Sequence, residues 1–141
     1  MSVYIDLKPG EKCIIGGAVI KNDKDMHIKF TVENAEKVCI LREKAIMSAD
    51  QVDTPCKGLY FALQLAYIDP EKRDLHRKTY MSMIQSIKIA SPSLIDLVDT
   101  VEKCLDGDQF YYRAMRLTIK LIEAEKVLLG ADCRVEEVSY A

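Results

Sequence analysis

The sequence predicts an α+β fold, with a small antiparallel β meander at the N-terminus followed by a bundle of about four helices. Three observations carry that reading. Apolar residues recur at every second position up to about residue 48, which is the period of a strand with one buried face. Turn-forming clusters separate these runs at short intervals. Beyond residue 48 the period lengthens to that of a helix, and prolines mark three of the helix starts. The chain of 141 residues then divides into a β module at 1–48, a helical bundle at 49–131 and a C-terminal tail at 132–141.

The strands come first. "SVYIDL" alternates through Val3, Ile5 and Leu7, "HIKFTV" through Ile28, Phe30 and Val32, and "KVCIL" through Val38 and Ile40. Between them lie "KPGE" at 8–11, "GG" at 16–17, "KNDKD" at 21–25 and "ENAEK" at 33–37, rich in the residues that turns require. Four or five short strands make a thin sheet that needs cover for its apolar face. Two such sheets face to face supply it, so a homodimer through residues 1–48 is expected.

The helices follow. Thr54 is placed to cap the first and Pro55 to open it, with Leu59, Leu63 and Ala66 on one face. Asp69 and Pro70 repeat the device ahead of a stripe of Tyr80, Ile84 and Ile87. Ser91 and Pro92 do so again ahead of Leu94, Val98, Val101 and Leu105. A last helix follows "DGD" at 106–108; Phe110, Ala114, Leu117, Leu121, Ala124 and Leu128 form its seam, and Gly130 offers a left-handed stop.

Composition narrows the function. Hydrophobic residues make up 49% and charged residues 30%, which suits a packed core. A net charge of −2 provides no global attraction to nucleic acid, so any such contact must be local. No run is apolar enough to span a membrane, and the N-terminus lacks a signal-peptide pattern, so a cytoplasmic protein is expected. The five cysteines, at 13, 39, 56, 104 and 133, show no metal-ligand spacing, and only His27 and His76 could assist them. No phosphate loop or nucleophile elbow appears. The expectation is a protein without catalytic residues, metal, cofactor or small-molecule substrate.

One stretch, "EKVCILREKAI" at 36–46, raises a sharper question. An apolar strand runs directly into Arg42-Glu43-Lys44. Those charges either protect a strand edge from sticking, or Arg42 offers a planar donor fork to phosphate or base beside an apolar shelf from Leu41, with Glu43 orienting it. A second set of cations, Arg73 and Arg77 on one helix and Arg113, Arg116 and Lys120 on another, forms either solvated faces or an electrostatic strip for RNA.

"LKPGEKCIIGGAVIKN" (7–22), "VENAEKVCILREKAI" (32–46) and "TPCKGLYFALQLAYIDPEKR" (54–73) resemble the FlbT family of flagellar biosynthesis repressors, in order and through about residue 130. The resemblance implies a post-transcriptional regulator that associates with the 5′ untranslated region of flagellin messenger RNA and promotes its decay or represses translation. The first 48 residues also resemble the carbon storage regulator fold, a small all-β RNA-binding dimer. Lys8-Pro9-Gly10-Glu11, Ile15-Gly16-Gly17, Val32-Glu33-Asn34-Ala35 and Ile40 to Ile46 meet its pattern. Asp6 and Leu7 depart from it where that family carries polar and basic residues, and Glu33 adds one residue between Val32 and Asn34. The likeness places its RNA-contacting positions at Arg42 and Leu41 on the last strand and at Ile5, Asp6 and Leu7 on the first, and the RNA-binding set expected here is Arg42, Leu41, Lys44, Lys8 and Ile5. The partners implied are a flagellin mRNA leader and a second copy of the chain. A flagellin or flagellar co-regulator held by the helical half is the other reading.

Overall fold

The computed structural model describes residues 1–106 and 110–140, with side chains as far as Gly130. It has β strands followed by helices, the α+β arrangement that the change of period implies. The chain forms two compact units, Met1–Ile46 together with Tyr67–Pro70, and Met47–Ala66 together with the residues from Glu71 onward.

The first unit holds five strands: β1 (Val3–Leu7), β2 (Lys12–Ile15), β3 (Ala18–Lys21), β4 (Ile28–Val32) and β5 (Ile40–Arg42). All pair antiparallel, but not as a simple meander. β1 pairs with β4, and a separate sheet runs in the order β3-β2-β5. Alternation identified most residues that face inward without identifying which strand lies beside which; Val38, expected inward, is 37% exposed and precedes β5, which begins only at Ile40. Ile5, Leu7 and Cys13 are buried together, with Val3, Ile15, Phe30, Val32 and Ile40 packed against them. The two sheets therefore share apolar cover within one chain. Gly16 and Gly17, at φ of 59° and 86°, give the two-residue turn between β2 and β3 the double positive φ that suits strand twist.

Asn22 connects these pieces. It is wholly buried, and its Nδ2 donates to the carbonyls of Leu7 at 2.9 Å and Met26 at 2.8 Å. Its Oδ1 accepts from the Lys24 N–H at 2.9 Å. Its own N–H donates to Glu11 and its carbonyl accepts from Gly10, where φ is 78°. A buried amide tolerates this position because its polar groups are matched.

The second unit is built from α1 (Pro55–Ile68), α2 (Arg73–Ala90), α3 (Ile95–Leu105) and α4 (Tyr111–Tyr140). Thr54 caps α1 as its type suggests, accepting from the Lys57 N–H at 3.3 Å. The expected stripes on α1, α2 and α3 are all buried. Gln64 on α1 ties in the approach to the helix, exchanging hydrogen bonds of 2.7 and 2.9 Å with the backbone of Met47.

Four helical details differ from the sequence reading. Asp69-Pro70 and Ser91-Pro92 each open a 3₁₀ turn, over Pro70–Lys72 and Pro92–Leu94, before the α-helix begins at Arg73 or Ile95. The fixed proline φ suits either helix type, so it marks the start and not the hydrogen-bond pattern. The buried stripe of α4 is Tyr111, Ala114, Met115, Thr118, Leu121 and Glu125, while Phe110 and Leu128 are exposed. Two polar residues occupy this stripe and so masked it. Thr118 returns its hydroxyl to the Ala114 carbonyl at 2.7 Å, and Glu125 accepts from the Cys56 N–H at 3.1 Å in the first turn of α1. Gly130 does not stop α4, which continues to Tyr140, past the boundary expected at 131; glycine costs only about 1 kcal/mol inside a helix. Gly107 and Asp108 of the expected turn, and the side chains of 131–141 including Cys133, lie outside the described residues.

Two outcomes are expected. Asn22→Ala removes the side-chain donor to the Leu7 and Met26 carbonyls and the acceptor for the Lys24 N–H, and should lower the unfolding free energy by about 2–4 kcal/mol; the midpoint of urea unfolding reads it. Burial, followed by the neighbouring Glu125 carboxylate, pushes the Cys56 thiol up to about 12 from its ordinary 9.0. The folded state then holds a proton that the unfolded chain releases above pH 9, so this contribution is full below pH 9 and is lost as pH rises toward 12. The urea midpoint should fall less between pH 8 and 10.5 in Cys56→Ala than in the wild type.

Candidate nucleic-acid interface

β5 is three residues long, and strand alternation decides what each can do. Its register places Leu41 beside Ile14 and Arg42 beside Cys13, so the two side chains leave opposite faces. Leu41 is wholly buried and cannot form a shelf beside the arginine. Ile5 is likewise in the core, at 1% exposure. Both were expected on the rim; both are apolar residues at inward positions of their strands, and burial claims them first.

Arg42 is exposed, and its Nη2 donates to the Tyr4 carbonyl at 3.0 Å. β1 has a strand partner on one edge alone, so the Tyr4 carbonyl needs a donor from elsewhere. The guanidinium supplies it and so links β5 to β1. Glu43 does not orient the arginine; it opens a 3₁₀ turn over Glu43–Ala45, closed by the Ile46 N–H donating to the Glu43 carbonyl at 3.1 Å. The Tyr4 bond uses one of the five guanidinium N–H donors.

Tyr4 itself was not singled out from the sequence. Its side chain is 56% exposed, on the face of β1 opposite Ile5 and Leu7 and next to Thr31 of β4. The signal was present in "SVYIDL", where alternation sends an aromatic outward. Two positions along, Asp6 is paired with His27 at 2.9 Å and lies opposite Lys29. Lys8 is exposed and lies beyond the end of β1, roughly 13 Å along the strand from Tyr4 at the usual rise. Lys44 is exposed in the turn after β5. The arrangement unites a guanidinium fork and an outward aromatic at residues 42 and 4, and leaves Lys8 and Lys44 as flanking cations.

The second set of cations is not uniform. Arg113, Arg116 and Lys120 are exposed along one face of α4, and Arg77 is exposed on α2. Arg73 is committed to structure: its Nε donates to the Ala66 carbonyl near the C-terminus of α1 at 2.8 Å, and its guanidinium lies 4.9 Å from the centre of the Tyr111 ring. Tyr111 in turn meets Tyr80 edge-on at 6.1 Å between ring centres. Burial, followed by the Tyr111 hydroxyl, pushes the Tyr80 phenol up, so it stays neutral.

The second unit also carries a groove of about 400 Å³ lined mainly by apolar side chains, among them Val52, Phe61, Leu65 and Met83, with His76 at its wall. Among the described residues no group of three His, Cys, Asp or Glu side chains gathers in a way that could hold a metal. Among the described residues no helix is long and apolar enough to cross a membrane.

Comparison with known proteins supplies the lineage of this arrangement. A family model described as "Flagellar protein FlbT" matches residues 3–129. "Probable flagellum biosynthesis repressor protein FlbT 1" of Bradyrhizobium diazoefficiens is 36% identical over 131 residues, covering 92% of this chain and 86% of its own. "Flagellum biosynthesis repressor protein FlbT" of Caulobacter vibrioides is 32% identical over 132 residues, covering 92% and 91%. A namesake from Rhodopseudomonas palustris is 33% identical over 134 residues, covering 92% and 99%. No solved structure matches the chain. With both units spanned by the family model and by relatives of nearly full length, the chain belongs to the FlbT family of flagellar proteins.

Proposed function

We propose that this protein is a repressor of flagellum biosynthesis that works after transcription, by binding the 5′ untranslated region of flagellin messenger RNA and promoting its decay or blocking its translation. Relatives that match it over nearly their whole length are named flagellum biosynthesis repressors, which supports the regulatory role. The RNA-binding part rests on the Arg42–Tyr4 junction. Single-stranded RNA is held by aromatic stacking and by cationic donors to phosphate or base edges. Tyr4 offers the ring, and Arg42 offers a fork whose position is set by the Tyr4 carbonyl. Lys8 and Lys44 add charge around it, and the cations of the second unit are a further electrostatic contribution. On this reading the protein acts in the cytoplasm, as a dimer through residues 1–48, and no reaction, metal or cofactor is assigned to it.

A second reading is favoured by a separate observation. Val127, Leu128 and Leu129 are 70%, 42% and 46% exposed on α4, an apolar run on a surface otherwise rich in charge. In that case the helical unit binds flagellin or a flagellar co-regulator, and effects on RNA are indirect.

Filter binding to a flagellin leader RNA tests the first reading. Arg42→Ala and Tyr4→Ala should each weaken binding by about 5- to 100-fold, as expected for a lost stacked base or charged contact. Arg42→Ala should also reduce the salt slope by about one, whereas Tyr4→Ala should leave it unchanged. Unchanged affinity in both variants, with recovery of a flagellar protein that survives nuclease, would favour the second.

A further inference from the structure

β3 is the edge strand of its sheet, and all four of its residues are exposed. Its apolar side chains are unprotected, with Val19 65% and Ile20 37% exposed and charge only at its end, in Lys21. The other edges differ: β4 carries Lys29 at its open side, β5 ends in Arg42, and the open edge of β1 receives the Arg42 guanidinium. Native edges are ordinarily guarded by charge or cover, and β3 is the least guarded of these.

The ladder shows which backbone groups are open. Asn22 donates its N–H to the Glu11 carbonyl and its carbonyl accepts from the Gly10 N–H, so both of its backbone groups turn toward the segment leading into β2. Alternation from there turns the backbone groups of Ile20 and Ala18 toward β2, and those of Val19 and Lys21 away from it. An added antiparallel strand must therefore bond to Val19 and Lys21. A second β3 satisfies this when the two copies are related by a two-fold axis at Ile20. Val19 of each copy then exchanges both hydrogen bonds with Lys21 of the other, and the two Ile20 side chains meet as a non-hydrogen-bonded pair. No like charges fall directly opposite in this register, because each lysine faces a valine. Beyond Lys21, Asp23 and Lys24 fall opposite Gly17 and Gly16 of the other copy, where there is no side chain to obstruct them.

We propose that the open edge of β3 is a self-pairing surface, and that two copies of this chain join there into one six-stranded antiparallel sheet centred on Ile20. The inference rests on the dimer reading above and gives it a location, edge to edge and not face to face. Four residues per copy bury less than the roughly 800 Å² per partner of a standard interface, so the association is weak and depends on concentration.

Disulfide trapping in the full chain tests it. The paired Ile20 residues lie about 4.5 Å apart at Cα, within disulfide reach, whereas the two Val19 residues are offset beyond the ~7 Å limit. Under mild oxidation Ile20→Cys should form several-fold more covalent dimer, at twice the 16.0 kDa chain mass, than Val19→Cys or the wild type. Ile20→Lys, which sets two ammonium groups against each other, should lower the dimer fraction in sedimentation. Equal trapping at the two positions overturns the β3 edge. If sedimentation at high concentration then shows a dimer, the dimer reading stands on another surface; a monomer overturns both.

Discussion

The β unit depends on the saturation of one buried amide. Asn22 lies where the end of β1, the start of β2 and the 22–26 loop converge, and it hydrogen-bonds to a backbone group from each. Strands of three to five residues cannot satisfy such groups by pairing alone, and water is excluded from the site. Asparagine suits this place because it carries two donors and an acceptor on a short stem. Aspartate would present oxygen to the Leu7 and Met26 carbonyls, and leucine would satisfy none of the three groups.

The same need for partners explains the charged side chains that the structure uses internally. Arg42 meets the carbonyl of Tyr4 because β1 is paired on one edge only. Arg73 meets the Ala66 carbonyl near the end of α1, and Glu125 meets an N–H in the first turn of the same helix. Helix ends leave such groups without intrahelical partners, and the signs match the helix dipole at each end. Arg42 differs from the other two in being exposed. A guanidinium held by one bond and open to solvent is ordered at little entropic cost to a ligand, which makes the edge-protection and ligand-binding readings of Arg42-Glu43-Lys44 compatible.

Much of the candidate site was visible in the sequence, and its errors share a cause. Arg42, Lys44 and Lys8 stand exposed because charge has no place in a core. The carbon storage regulator likeness puts Leu41 and Ile5 on the same rim, but Leu41 leaves β5 on the face opposite Arg42 and Ile5 sits at an inward position of β1, so both are buried. Tyr4 went unnoticed because tyrosine is common in cores; its outward phase in "SVYIDL" was the available clue. On α4, Thr118 and Glu125 broke the apolar stripe, so the seam was read one step around the helix.

Period and punctuation by themselves determined the α+β class, the change from strands to helices, the Thr54 cap and the inward residues of the first three helices. These are local properties, set by backbone geometry and by the spacing of apolar side chains along the chain. Strand order, the burial of Asn22, the partner of Arg42 and the use of Glu125 were decided by the tertiary structure. Each depends on which distant backbone groups are left without a partner once the chain has folded, and sequence separations of 15 to 69 residues carry no local trace of that demand.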